Sequence, residues 1–409
     1  MKILYLNNFN YRRGGSENVF LDEAKVMEAH GHAVHIFARE HVENLPSKYD
    51  RYFPKAMFTT SLKPTISGLR NLLQLFYSWE AKRRLASMLQ DIRIDVAHAH
   101  NIYGRLTTSV LDLLSERNVP ILMTLHDYKL ICPNYKLMFR GQICEDCKSG
   151  KFYMAMRNRC HKDNLIASAI YACETYFNER FQKYRKNVRF LIAPSLFMKA
   201  KFIEFDWPEE QIEYVPNFLF LSEFEPQFIP GNYFLYFGRL SSEKGIVTLI
   251  NAFMKIKSEN VKLLIVGEGP IRSQLEELAS DDSRILFTGY LSGNILKDTT
   301  RNSLAVIVPS EWYENAPISI LEALAFGKPV VGSRIGGIPE MIDDGVNGYL
   351  FEPPNVDDLR EKLELVLSMP HKHISEMGQA ARKTVERGYN AELHYERLME
   401  IYYRVLGQG

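Results

Sequence analysis

The chain has 409 residues, more than a single hydrophobic core commonly serves, so two domains of about two hundred residues each are expected. With 46% hydrophobic and 24% charged residues and a formal net charge of +1, its composition is that of a soluble globular protein; the charge balance excludes a general attraction to nucleic acid while allowing local patches. The opening MKILYLNN lacks a signal-peptide layout and no apolar stretch of about eighteen residues occurs, so a cytoplasmic chain without a transmembrane helix is expected.

In chain order, the apolar runs KILYL, HAVHIFA, DVAHAH, PILMTLH, RFLIAPS and IEYVP alternate with amphipathic segments of helix length. Unbroken runs of this kind fit parallel strands buried on both faces by helices. A looser stretch, FLFLSEFEPQFIPGN, follows Asn217, and the rhythm restarts with YFLYFGR, VKLLIVGEG, ILFTGY, LAVIVPS, PVVGS and GYLFEP. The predicted class is α/β, with two doubly wound, Rossmann-like domains at residues 1–217 and 232–389 and a linker at 218–231. A cysteine-rich insertion falls near residues 128–165, and the amphipathic segment within 390–409 is expected to cross back onto the first domain.

Ligands of open α/β sheets bind outside the carboxyl ends of the strands, which makes residues there the first candidates. Gly14 and Gly15 follow the first strand and precede a helix; paired glycines let backbone approach an anion at a helix amino terminus, or simply turn the chain. His126, with Asp127, ends PILMTLH, where an imidazole can bond a sugar hydroxyl, move a proton, or serve only the fold. In the second half, Arg239 follows a strand and Lys244 opens the next helix, so both cations can meet one anion; a solvated charge pair is the alternative. Gly289 and Tyr290 end ILFTGY, a place for a nucleobase or a plain turn. VGEGP carries only part of the dinucleotide fingerprint, which disfavours a dehydrogenase.

The stretch SEWYENAPISILEALAFGKPVV predicts a helix over Pro317–Phe326, with proline at the first helical position and Gly327 just past the end. Apolar residues cover most of its circumference, so it should be buried, yet Ser319 and Glu322 share one face. An unpaired buried carboxylate is expensive. Glu322 must therefore meet an arginine or lysine, or face a cleft where a ligand supplies hydroxyl donors.

The order and spacing of Gly14–Gly15, His126, Arg239, Lys244 and the Glu314/Glu322 pair, followed by EALAFGKPVVGSRIGGIPEMIDDGVNGYLFEP, resemble the retaining glycosyltransferases of family 4, over nearly the whole chain. The resemblance implies a GT-B fold, with the two domains facing across a cleft. It implies that Arg239 and Lys244 hold the donor diphosphate against backbone from Gly15, that Glu322 accepts from ribose hydroxyls, and that Gly289 and Tyr290 flank the base. Glu314, with Asn315, Ala316, Pro317, Ile318 and Ser319, would grip the donor sugar, and His126 would lie near its anomeric carbon. It further implies transfer with retention and without a catalytic metal, with UDP as the default nucleotide. Many relatives carry glycine near Pro317; proline has no N–H to offer, so contacts there would pass to Ile318 or Ser319.

Cys132, Cys144, Cys147 and Cys160 form a C-x-x-C knuckle with one flanking cysteine on each side, which suits a structural zinc with His161 as a spare ligand, or free thiols in a packed insertion. Basic residues from Lys148 to Arg189 interleave with Phe152, Tyr153, Tyr176, Phe177 and Phe181, and a second basic, leucine-rich stretch spans residues 66–89 around Trp79. Either is a solvated face or a contact with an anionic membrane surface. The expected function is transfer of a sugar from a nucleotide sugar to a glycan or polyprenyl-diphosphate-linked acceptor in surface polysaccharide assembly, at the inner face of the membrane if lipid is bound. The alternatives are a nucleotide-sugar 2-epimerase-like enzyme and a noncatalytic nucleotide-sugar-binding scaffold.

Overall fold

The computed structural model describes residues 1–55 and 72–407. The first sheet has six parallel strands: β1 (Lys2–Leu6), β2 (Ala33–Phe37), β3 (Val96–Ala99), β4 (Ile121–Thr124), and, after a small antiparallel hairpin of β5 (Met138–Phe139) and β6 (Gln142–Ile143), β7 (Phe190–Ala193) and β8 (Ile212–Tyr214). Their order is β2-β1-β3-β4-β7-β8, so the chain reverses direction across the sheet between β1 and β3. The second sheet repeats the plan with β9 (Tyr233–Phe237), β10 (Lys262–Val266), β11 (Ile285–Gly289), β12 (Ala305–Val308), β13 (Val330–Ser333) and β14 (Gly348–Phe351), in the order β11-β10-β9-β12-β13-β14. Its reversal lies between β9 and β12. Crevices at such switch points are where open α/β sheets take ligands.

The strands are buried because helices cover both faces, as their unbroken apolar runs demand. Ile3, Tyr5 and Val96 pack on one side against Phe20 and Met27 of the helix Gly15–Ala29, and against Leu398, Ile401 and Tyr402 of the final helix, Ala391–Val405. That final helix starts beyond the second domain and closes the core of the first. The linker runs beside it: Leu219 bridges Asn390, and the Leu219 N–H donates to the Tyr389 carbonyl at 2.9 Å. The two crossings between domains are therefore adjacent strands of chain.

The helix forecast over Pro317–Phe326 spans Ile318–Ala325, with Pro317 extended at the cap (φ −66°, ψ 118°) rather than inside the first turn. Ile320, Leu321 and Leu324 are fully buried, each worth about 1.5–3 kcal/mol of apolar burial. The helix is thus fixed by its packing, and its amino-terminal N–H groups are left at the cleft.

The insertion folds as the β5–β6 hairpin and two short helical turns, then joins the helix Leu165–Arg180, capped by the Asn164 side chain accepting from the Ala167 N–H at 2.9 Å. It reaches the second domain: Lys136 pairs with Glu243 at 3.1 Å, and Tyr313 Oη donates to Glu145 at 3.0 Å. Among the described residues no helix is long and apolar enough to cross a membrane.

Candidate active site

The candidates follow the carboxyl ends of β1, β4, β9, β11 and β12. Gly14 and Gly15 are exposed at the start of the first helix, and a side-chain carbon added at Gly15 would meet nothing within 4 Å. Across the chain, Arg239 stands exposed after β9 without a salt bridge among the described residues, and Lys244 lies in the turn Ser242–Lys244 that leads into the helix Ile246–Met254. The glycines of VGEGP explain themselves here. Side-chain carbons at Gly267 and Gly269 would fall 1.9 and 2.0 Å from the carbonyl oxygens of Gly238 and Leu240, so these glycines let the end of β10 press against the turn that carries Arg239.

Glu314 is buried and its Oε1 accepts from Lys244 Nζ and from Ser310 Oγ, both at 2.6 Å. Burial opposes its charge, but Lys244, with Ser310 and Trp312, holds the carboxyl below its ordinary value. The loop from Glu314 to Pro317 is pinned from several sides. Gly336 sits at φ +61°, and a side-chain carbon there would fall 2.3 Å from the Glu314 carbonyl; at Gly337 it would fall 1.9 Å from that of Asn315. The Gly337 N–H donates to the Glu314 carbonyl at 2.8 Å. From the first domain, Ser195 Oγ donates to Asn315 Oδ1 at 3.2 Å and Asn217 Nδ2 donates to the Ala316 carbonyl at 3.0 Å. Asn315 Nδ2 donates to the carbonyl of Leu125 at 3.1 Å. Leu125 precedes His126, so this bond sets the Glu314 loop beside that imidazole.

Glu322 is half-buried, with no salt bridge or hydrogen bond to another side chain among the described residues. Burial pushes its carboxyl up to about 7, eased by the more distant Lys297 and raised further by Asp22 of the first helix. Of the two outcomes open to it from sequence, the structural salt bridge is not formed. Gly289 ends β11 beside the Glu268–Arg272 ion pair, and Tyr290 after it is 74% exposed.

Sequence reasoning missed the residues behind His126. Its Nε2 lies 2.8 Å from His100 Nδ1, and the buried His100 Nε2 faces Glu23 Oε1 at 3.6 Å with no other partner. Glu23 also faces His98 Nδ1 at 2.9 Å and His394 Nε2 at 3.2 Å, and His394 Nδ1 faces the Pro216 carbonyl at 2.9 Å. Burial opposes the Glu23 charge, yet the surrounding imidazoles hold its carboxyl well below the usual range. Burial also pushes the pKa of His100 down, and burial followed by the His100 ring pushes that of His126 far down. Both rings are thus neutral. The Glu23 charge favours the proton on His100 Nε2, which makes His100 Nδ1 the acceptor for His126 Nε2–H and leaves His126 Nδ1 as a lone pair. The alternation in DVAHAH, which puts His98 and His100 on one face of β3 and its extension, was the available signal.

Residues 13–222 match the model of "Glycosyltransferase Family 4", more than half of the chain, and residues 222–384 match "Glycosyl transferases group 1". The chain belongs to the family 4 glycosyltransferases. This family 4 chain is 23% identical over 403 residues to the N-acetyl-alpha-D-glucosaminyl L-malate synthase of Bacillus anthracis, covering 96% of the chain and 94% of that protein. It is 29% identical over 277 residues to the lipopolysaccharide 1,2-N-acetylglucosaminetransferase of Salmonella typhimurium, covering 62% and 70%. An Anabaena protein crystallised in complex with UDP superposes with a TM-score of 0.69 at 17% identity, covering 99% of this chain and all of that one, which supports the GT-B fold.

The four insertion cysteines are unbridged. Burial pushes the Cys132 and Cys144 thiols up, opposed in part by backbone N–H groups of Leu137, Asn134 and Lys136 at Cys132 and of Asp146 at Cys144. Burial and the neighbouring thiols push Cys147 up strongly and Cys160 to about 12, so as free groups they are protonated thiols. No three of the sulfurs lie within 4.8 Å of one another; among the described residues only Glu23, His98 and His100 come together that closely. The separation of His98 and Glu23, 2.9 Å, is that of a hydrogen bond and shorter than the roughly 3.3 Å edge of a tetrahedral zinc site.

Of the lipid-facing candidates, the part of 66–89 before residue 72 lies outside the described residues. Leu85 and Met88 of that stretch are core, while Trp79 is 69% exposed. Around the insertion, Tyr153, Met156, Leu165, Ile166, Tyr176 and Phe181 are exposed among the basic residues.

Proposed function

We propose that the chain transfers a sugar from a UDP-sugar to a glycan or polyprenyl-diphosphate-linked glycan in surface polysaccharide assembly, keeping the anomeric configuration and needing no catalytic metal. One set of observations carries the reading: after β9 Arg239 is exposed, Lys244 lies in the turn that leads into the helix Ile246–Met254, and Glu322 has no side-chain partner among the described residues. An oxygen of the acceptor hydroxyl bonds to the anomeric carbon while the bond from that carbon to the β-phosphate oxygen breaks. The leaving diphosphate takes the electron pair and, on the same face, the hydroxyl proton. Its growing charge is stabilised by Arg239 and Lys244, and ribose hydroxyls satisfy Glu322. Ile318 and Ser319 supply the N–H groups that Pro317 lacks. The lipopolysaccharide relative and the UDP-bound neighbour support the acceptor class and the nucleotide.

The exposed aromatic and basic surface around the insertion supports contact with an anionic membrane. A structural zinc on Cys132, Cys144, Cys147 and Cys160 is a separate part of the proposal: it requires the sulfurs to draw closer than the structure holds them, and less than about 0.2 zinc per chain in protein purified under reducing conditions overturns it. The deciding experiment is a panel of nucleotide sugars assayed for slow hydrolysis and for transfer to lipid-linked glycans. Release of UDP with an acceptor-dependent product supports the reading; interconversion of sugars without an acceptor favours the epimerase, and binding without turnover the scaffold.

A further inference from the structure

At the carboxyl ends of β1, β2 and β3, three arginines surround one phenylalanine. The guanidinium carbons of Arg13, Arg39 and Arg105 lie 4.7, 4.8 and 5.9 Å from the centre of the Phe9 ring. They are graded in depth: Arg39 is 7% exposed, Arg105 half-buried, Arg13 exposed. None forms a salt bridge among the described residues, and the buried Nε of Arg39 has no hydrogen-bond partner. Residues 56–71 contain no aspartate or glutamate that could supply one. Burial, then Arg105 and Arg13, lower Arg39 to about 10, with no carboxylate among the opposing influences.

Like charges gathered around a buried, unsatisfied guanidinium are costly unless an anion arrives. Planar guanidiniums in convergent positions suit phosphoryl oxygens, which they bind in pairs. Beside them, Tyr11 stacks on His41 with ring centres 4.8 Å apart, and Phe9 meets Tyr11 edge-on at 5.5 Å, an aromatic wall for apolar or sugar groups. Arg13 directly precedes Gly14, so this cluster belongs to the first domain, whereas Arg239 and Lys244 belong to the second.

We propose that Arg13, Arg39 and Arg105 form a second anion site, which holds the diphosphate of a lipid-linked acceptor. The acceptor's chemistry rests on the function proposed above; the anion site does not. The test is the thermal shift and calorimetric affinity of the whole chain with inorganic pyrophosphate and with geranyl diphosphate. It uses wild type, Arg39→Gln, Arg105→Gln and, to remove the donor-side cation, Lys244→Met. Expected are at least a tenfold loss of pyrophosphate affinity in both arginine variants, retained binding in Lys244→Met, and geranyl diphosphate binding at least as tight as pyrophosphate. Unchanged affinity in both arginine variants overturns the site, and loss only in Lys244→Met assigns all binding to the donor side. Geranyl diphosphate binding tenfold weaker than pyrophosphate overturns the lipid-linked assignment while leaving nucleotide-sugar transfer untouched.

Discussion

Replacing Lys244 with methionine separates the two tasks of that residue. In the ligand-free chain its ammonium lies 2.6 Å from Glu314, a carboxylate only 6% exposed whose other described partner is Ser310. Stranding a buried charge costs about 3–5 kcal/mol; Lys244 keeps a quarter of its side chain in solvent, so the lower end, about 3 kcal/mol, applies. For a domain of this size that is a fall of roughly 10 °C in melting temperature. In the proposed reaction Lys244 also stabilises the leaving diphosphate, and losing one such group removes about 3 kcal/mol from the transition state, roughly a hundredfold in turnover. The double variant Lys244→Met/Glu314→Gln removes the stranded charge, so it should recover most of the melting temperature while turnover stays low. Differential scanning fluorimetry and nucleotide release from the hydrolysed donor read the two effects. A single variant that melts within about 2 °C of wild type, or a double variant no more stable than the single, refutes the assignment of Glu314 and Lys244 as a buried pair.

Arg239→Met should lower turnover by about a hundredfold with little change in melting, because the side chain is exposed and unpaired; a loss below about tenfold removes Arg239 from the site. Glu322 holds its proton up to about pH 7 in the folded chain against an ordinary value of 4.5. Its contribution to stability is therefore complete below pH 4.5 and is lost as pH rises through 7. Glu322→Gln should match wild type in melting at acid pH and exceed it above pH 7 by at most about 3 kcal/mol, while weakening UDP binding. Tyr290→Ala should raise the donor KM by about tenfold with melting unchanged, since the ring stands in solvent and base stacking is worth about 1–3 kcal/mol. In nitrogen-15 spectra of histidine, Glu23→Gln should show His126 leaving its single Nε2–H form; an unchanged tautomer refutes the tautomer assigned to the Glu23–His100–His126 network.

The sequence by itself determined the two parallel sheets and the buried helix expected over Pro317–Phe326 and found at Ile318–Ala325, and it nominated the donor-side candidates. Those features are local: buried parallel strands must be apolar throughout, and phosphate-handling groups must sit at strand ends and helix starts, so both leave marks within a few adjacent residues. Tertiary structure alone decided which way Glu322 resolves its charge, because an absent partner cannot be read from a sequence. It also decided that Gly336 and Gly337 hold the Glu314 loop through close backbone contact, and that Asn315 ties that loop to the residue before His126. The Glu23 network draws on the first helix, β3, β4 and the final helix, with His394 separated from Glu23 by 371 residues. Arg13, Arg39 and Arg105 are likewise scattered on three loops, each an ordinary surface cation in isolation. Only folding places those charges around one ring without a salt bridge to an acid among the described residues, and that unpaired charge is what suggests the proposed site.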